Sequence, residues 1–405
     1  MKRLARQFAV MAIVACLRLC GLPHGRRVKP RPADASSHRL VVVGFLETAS
    51  GLGAAARGMC RALADLRPTP VSVSALAPTS PLPADLPLPG LVDASASPGG
   101  GMAIHIYNPD VFLAAVRRYG TRLLWANDLN MAVINWETDV LPPRWASVLS
   151  LYDGLCATSS FTAAAVARAT DRPVSVVPCC VPDRPPRIRT RTDGHFEFLC
   201  MFDHHSDVER KNPLAAIRAF RTATRSLPAG TSCRLRIKCH AATPAEVIDR
   251  LRHESADAPI EILDETYDEP RMERLWDECD CFVSLHRSEG FGLPVAEALA
   301  RSIPVITTRQ GGVLDFADDQ GCFFVPGPPA ERRDRESNYG EWSGWIEPDV
   351  STASARMLAV VGDYDDAMRR ARHGRRRLAE VASADAVHAA FQRASAAIGW
   401  PSESA

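Results

Sequence analysis

Ser288-Glu-Gly-Phe-Gly-Leu-Pro-Val-Ala-Glu297 is the stretch on which the reading of this chain turns. It follows an apolar, strand-like run, Cys281–His286, and opens a helical pattern that continues to Arg301. Pro294 sits in the first helical turn, where its missing N–H costs nothing. Gly290 and Gly292 let the backbone come close to a ligand, and free amides at a helix start attract anions. Phe291 and Leu293 ride on the same turn and are expected beside the same ligand. Glu289 falls on the loop and Glu297 on the helix, where a carboxylate can accept both hydroxyls of a ribose diol. Two glutamates at this spacing say little alone. The Gly-x-Gly-x-Pro between them, at a strand-to-helix turn, makes the stretch a ligand-binding signature.

A second loop of this kind lies upstream. Asp203-His-His-Ser-Asp-Val-Glu-Arg-Lys-Asn-Pro213 leaves the strand-like run Phe196–Phe202 and enters a helical pattern over Pro213–Thr224. Arg210 and Lys211 on this loop are suited to pairing with a diphosphate. The chain has only four lysines, Lys2, Lys29, Lys211 and Lys238, so one inside a motif stands out.

Outward from these loops, β-type runs alternate with helical patterns from Leu40 onward, which argues for βα units and parallel sheets. Runs at Leu40–Leu46, Ala103–Asn108, Arg122–Ala126, Gly154–Ser159 and Val174–Val181 are expected as strands of a first domain. The Pro/Ser/Ala-rich stretch from Pro78 to Gly101 reads as a long surface loop. Pro182–Gly194, rich in Pro and Arg, reads as a hinge, after which the pattern restarts. The expected organisation is α/β, with two Rossmann-like domains facing across a cleft. The first spans 39–182 and the second 195–380, with a hinge at 183–194 and a C-terminal helix at 381–405 folding back onto the first domain. In such sheets ligands sit at the carboxyl ends of the strands.

A length of 405 residues, 46% hydrophobic and 23% charged, suits two soluble globular domains. The net charge of +1 offers no argument for a nucleic-acid partner. The twelve cysteines show no CxxC pair and no Cys/His cluster at zinc spacing, and read as reduced core thiols of a cytoplasmic protein. Residues 1–38 differ. The first 31 carry eight Arg or Lys and no acid around the apolar run Phe8–Leu17, too short to span a bilayer. A disordered extension, a segment lying on an anionic membrane surface and a cleaved signal all remain open readings.

Together the two loops resemble the large GT-B-fold glycosyltransferase family called group 1, or family 4. The resemblance covers nearly everything after Arg39. It extends through Gly311-Gly-Val313, Gly340–Asp349, Trp136-Glu137, Pro142-Pro-Arg-Trp145, Ser159-Ser-Phe161 and Val177-Pro178. It implies transfer with retention from a nucleoside-diphosphate sugar to a carbohydrate or lipid-linked hydroxyl, without an obligatory metal or cofactor. Carried over, Arg210 and Lys211 would bind the diphosphate, Glu297 the ribose, and Glu289 would lie near the donor sugar. The family's N-domain histidine has no clear counterpart. His105 in Ile104-His-Ile-Tyr-Asn108 is the candidate, with His204 and His205 as alternatives. Gly53, in Gly51-Leu-Gly53, is expected to touch donor or acceptor, and Trp125, Trp136 and Glu137 to shape the acceptor side. A nucleotide-sugar epimerase of the same fold and a non-catalytic nucleotide-sugar-binding partner stay open.

Overall fold

The computed structural model describes residues 39–76, 90–96, 100–120, 127–187, 195–227, 230–240, 243–330 and 344–401. The expected strand Arg122–Ala126, Trp125, the N-terminal extension and parts of the 78–101, 182–194 and 340–349 stretches lie outside these residues. The chain divides into two compact units. One holds the described residues through Cys180 together with those from Ala384 onward, and the other is Val181–Ser383.

The first unit is built on seven parallel strands: β1 (Leu40–Gly44), β2 (Thr69–Ser72), β3 (Val92–Asp93), β4 (Met102–Ile106), β5 (Leu129–Ile134), β6 (Gly154–Ala157) and β7 (Val174–Val176). Their order in the sheet is β3-β2-β1-β4-β5-β6-β7. β1, β4, β5 and β6 are buried along their whole length, as parallel strands covered on both faces must be. Helix Gly51–Ala62 is started by Ser50, whose side chain accepts the Gly53 N–H. Helix Ala384–Ala396 packs on Gly51–Ala62, β6 and β7, burying Val387 and Phe391.

The second unit carries β8 (His195–Phe202), β9 (Ser232–Cys239), β10 (Ile260–Asp264), β11 (Cys281–Ser284), β12 (Val305–Thr308) and β13 (Phe323–Val325). These are ordered β10-β9-β8-β11-β12-β13 with every pairing parallel. Helix Pro213–Thr224 places Leu214, Ile217 and Phe220 in a core with Phe196, Phe198, Leu235, Ile237 and Val283. Each unit therefore has the doubly wound strand order, with its topological switch between the first strand and the fourth, and the expected class of two Rossmann-like α/β domains is what the chain adopts.

Four strands and three helices, Pro109–Tyr119 and the short Trp145–Leu149 and Val208–Lys211, were not anticipated. β2 contains Pro70 and β3 falls inside the stretch expected to be loop, so both escape a reading that treats proline as a strand breaker. β13 is three residues long and β5 carries Asn130. Among the described residues ten cysteines are free thiols, nine of them buried. No helix among the described residues is long and apolar enough to cross a membrane.

Candidate active site

In the second unit, the switch point lies between β8 and β11, and the two loops singled out in the sequence are the ones that leave these strands. After β8 the chain makes a short turn of helix, Val208–Lys211, bounded by Asp207 at φ +70° and Asn212 at φ +51°. Asp and Asn tolerate this left-handed backbone better than most residues. Asp207 also caps the turn, its side chain accepting the Arg210 N–H at 3.1 Å. After β11 the chain runs through His286–Gly292 into helix Leu293–Ala300, with Gly292 at φ +90°.

The loops are locked to each other. Arg287 N–H donates to the Arg210 carbonyl at 2.7 Å, and Arg210 Nη1 donates to the Ser288 carbonyl at 2.8 Å. Arg210 Nε and Nη2 also donate to the Ser206 carbonyl, at 3.2 and 2.8 Å. Arg287 makes a two-pronged pair with Glu347, at 2.6 and 3.1 Å. Gly311 completes the support at φ +81°, where a Cβ would stand 2.1 Å from the Glu289 carbonyl oxygen, which accepts from Gly312 N–H at 2.9 Å.

Glu289 is buried between two cations. Its Oε2 lies 3.1 Å from Arg210 Nη1, and its Oε1 accepts from Lys211 Nζ. Burial alone would raise the carboxyl's pKa, but Lys211 and then Arg210 outweigh it and hold the group at about 2. His286 is fully buried beneath this cluster. Burial brings its pKa down to about 4, against the opposing pull of Glu289, so the ring is neutral near pH 7. Two cations gathered on one carboxylate beside a helix start form an arrangement suited to a phosphate-bearing ligand.

The structure refines what Arg210 does. It was expected to bind the diphosphate directly, yet its side chain is 1% exposed and its guanidinium is committed to Ser206, Ser288 and Glu289. It braces the loops, and Lys211, at 15% exposure, is the more accessible of the two cations that hold Glu289. Gly290 is buried in the loop, and Leu293 and Glu297 are half-buried on the helix beyond. Phe291 is corrected from ligand contact to core: its ring packs on Phe316 with centroids 5.0 Å apart.

In the first unit three expectations are corrected. His105 is fully buried, with Nδ1 2.9 Å from the Tyr107 hydroxyl and Nε2 2.9 Å from Asn130 Oδ1. Both ring nitrogens are occupied and burial lowers its pKa to about 4, so it is a core histidine rather than a catalytic one. The Gly53 amide is taken by Ser50, and a Cβ there would stand 2.3 Å from the Thr48 carbonyl oxygen, so the glycine serves a tight helix start. Trp136 packs edge-on against Trp145 at 4.6 Å and donates its indole N–H to the Val140 carbonyl. Glu137 is half-buried beyond the carboxyl end of β5.

Sequence reasoning missed His286 and Arg287, whose partners are distant in the chain. It also missed Glu47, an exposed carboxylate just past β1, which Ser72 Oγ holds at 2.5 Å. Asp203, His204 and His205 bring one possible ligand atom each within 4.8 Å of the others, a set of imidazole and carboxylate donors that suits a zinc-like ion. Burial, and then His205, lower the His204 pKa.

Two doubly wound parallel units, one gathering a glycine-rich helix start and a buried Arg–Lys–Glu cluster at its switch point, define a protein of the GT-B class. Its sequence matches the model of a family described as family 4 glycosyltransferase in conflict systems over residues 156–391, more than half of the chain. The chain belongs to that family. Its fold is similar to that of HepE from Anabaena, solved with UDP and glucose, at a TM-score of 0.60 and 11% identity over 88% of this chain and 98% of HepE. A glycosyltransferase from Rickettsia africae is similar at a TM-score of 0.60 and 12% identity, over 90% of this chain and 99% of that one. S. aureus TarM, solved with UDP, is similar at a TM-score of 0.55 and 10% identity over 72% of this chain. This chain spans about half of TarM's length, 55% of which is matched. A comparison with curated proteins finds none that matches the sequence.

Proposed function

We propose that this chain transfers a sugar from a nucleoside-diphosphate sugar to a hydroxyl acceptor with retention of anomeric configuration. The observation that carries the reading is the buried Glu289 held between Arg210 and Lys211 at the switch point of a family 4 unit. The bond between the anomeric carbon and the diphosphate oxygen breaks, and a bond to the acceptor oxygen forms on the same face. The acceptor's proton passes to the departing phosphate, so no strong protein base is needed. Lys211 and the amides around Gly290 and Gly292 stabilise the charge that develops on the leaving diphosphate. Arg210 fixes the loop that presents them, Glu289 orients the donor sugar and Glu297 the ribose. No metal or cofactor enters this scheme.

HepE, TarM and the pneumococcal O-GlcNAc transferase GtfA were all solved with UDP, which makes UDP-sugars the first donors to test. The acceptor is proposed to be a carbohydrate or lipid-linked hydroxyl of polysaccharide or glycolipid synthesis. The basic, apolar first 31 residues support peripheral contact with the cytoplasmic membrane surface. Release of nucleoside diphosphate from UDP-, GDP-, ADP- and dTDP-sugars, with and without added saccharide or lipid acceptors, tests the transfer. Diphosphate release that depends on acceptor and disappears in Lys211→Ala is the expected result. Binding without release across the panel would overturn the reading.

A further inference from the structure

The second unit also gathers unmatched polar groups at the opposite edge of its sheet. Asp280 precedes β11 and Ile303 precedes β12, so both mark the amino-terminal edge, away from Glu289. A cavity of about 270 Å³ opens there, lined by Arg187, Ser302, Ile303, Tyr364, Met368 and Arg372. That volume lies near the lower end for small-molecule sites, about 300 Å³.

Arg187 is anchored by its backbone, whose N–H donates to the Arg301 carbonyl at 2.9 Å. Its side chain is 7% exposed, yet among the described residues Nε, Nη1 and Nη2 find no hydrogen-bond acceptor. The carboxylate of Asp280 stands 3.7 Å from Nη2, which offsets charge but lies beyond hydrogen-bonding reach. Ser302, buried and at φ +54°, has an Oγ likewise without a partner among the described residues. Buried donors left in this way are costly unless an acceptor reaches them. At the cavity the guanidinium groups of Arg187 and Arg372 are balanced by the carboxylates of Asp280 and Asp365, so it is the unmatched donors of Arg187 and Ser302 that call for an acceptor.

We propose that this cavity binds the phosphate group of a small phosphorylated molecule, independently of the donor site. A planar carboxylate engages two donors of one guanidinium edge. A tetrahedral phosphate accepts from several directions, as Arg187, the Ser302 hydroxyl and Arg372 require. Ile303, Met368 and the Tyr364 ring supply an apolar wall for the rest of the ligand.

Equilibrium dialysis of the full chain against inorganic phosphate tests this, in a Lys211→Ala background that removes the donor-site cation. Saturable binding near one phosphate per chain is expected there. Arg372→Gln, at an exposed position, and Ser302→Gly, which suits the positive φ, should each weaken it by about tenfold, the effect of one charge-assisted hydrogen bond. Arg187→Gln should abolish binding, although it leaves Asp280 without its counter-charge and can cost folding. The other two variants keep the test decisive in that event. Loss of all phosphate binding in Lys211→Ala, or binding indifferent to Arg372→Gln and Ser302→Gly, overturns the proposal.

Discussion

Replacing Glu289 by Gln keeps the shape of the side chain and removes the charge between Arg210 and Lys211. The carboxyl is held at about 2 against an ordinary 4.5. At about 1.36 kcal/mol for each tenfold change in proton affinity, the ionised group contributes about 3 kcal/mol to the folded state. That agrees with the roughly 3–5 kcal/mol lost when a buried pair is broken from one side. Because the folded pKa is depressed, the contribution is complete above pH 4.5 and is lost as pH falls through about 2. Urea unfolding of wild type and Glu289→Gln should therefore differ by about 3 kcal/mol at pH 7 and by about 2 kcal/mol at pH 3.5. Equal stability at pH 7, or a deficit that ignores pH, would refute the reasoning.

Lys211→Ala should lower turnover by about 10²-fold, the loss typical of a key electrostatic group, and near-normal diphosphate release would remove Lys211 from the scheme. Gly311→Ala forces a side chain at φ +81° against the Glu289 carbonyl and should cost about 2 kcal/mol or more, read as a lowered urea midpoint. A midpoint equal to wild type would mean that the turn can relax. His105 and His286, both buried with pKa values near 4, hold the folded state best above pH 6.5 and lose that stability as pH falls toward 4. Each should cost about 2 kcal/mol between pH 7.5 and pH 5, and a urea midpoint unchanged at pH 5 would falsify the assignment of both as neutral core groups.

The Glu289 loop was legible because its information is local. A strand, a glycine pair and a proline in the first helical turn are neighbours in sequence, and each demands a specific backbone. The roles of Arg210, His286 and Arg187 were not legible because their surroundings come from far along the chain. Only the parallel pairing of β8 with β11 brings Ser288 to Arg210. His105 misled for the same reason. Its ring is satisfied by Asn130 on β5, a strand that does not read as one because polar Asn130 interrupts its apolar run. Gly53 misled because glycine meets two different needs: close approach of a ligand and, as here, close approach of the chain's own carbonyl oxygens.

The return of helix Ala384–Ala396 to the first unit bears on the order in which the protein can be assembled during synthesis. Val181–Ser383 is a continuous run, so the second unit can close as soon as it leaves the ribosome. The first unit cannot. Until residues 384–398 arrive, β6 lacks the cover that Ile398 gives Gly154, and helix Gly51–Ala62 lacks its neighbour. The half of the chain translated earlier thus waits, incompletely covered, for a segment translated after the whole of the other half.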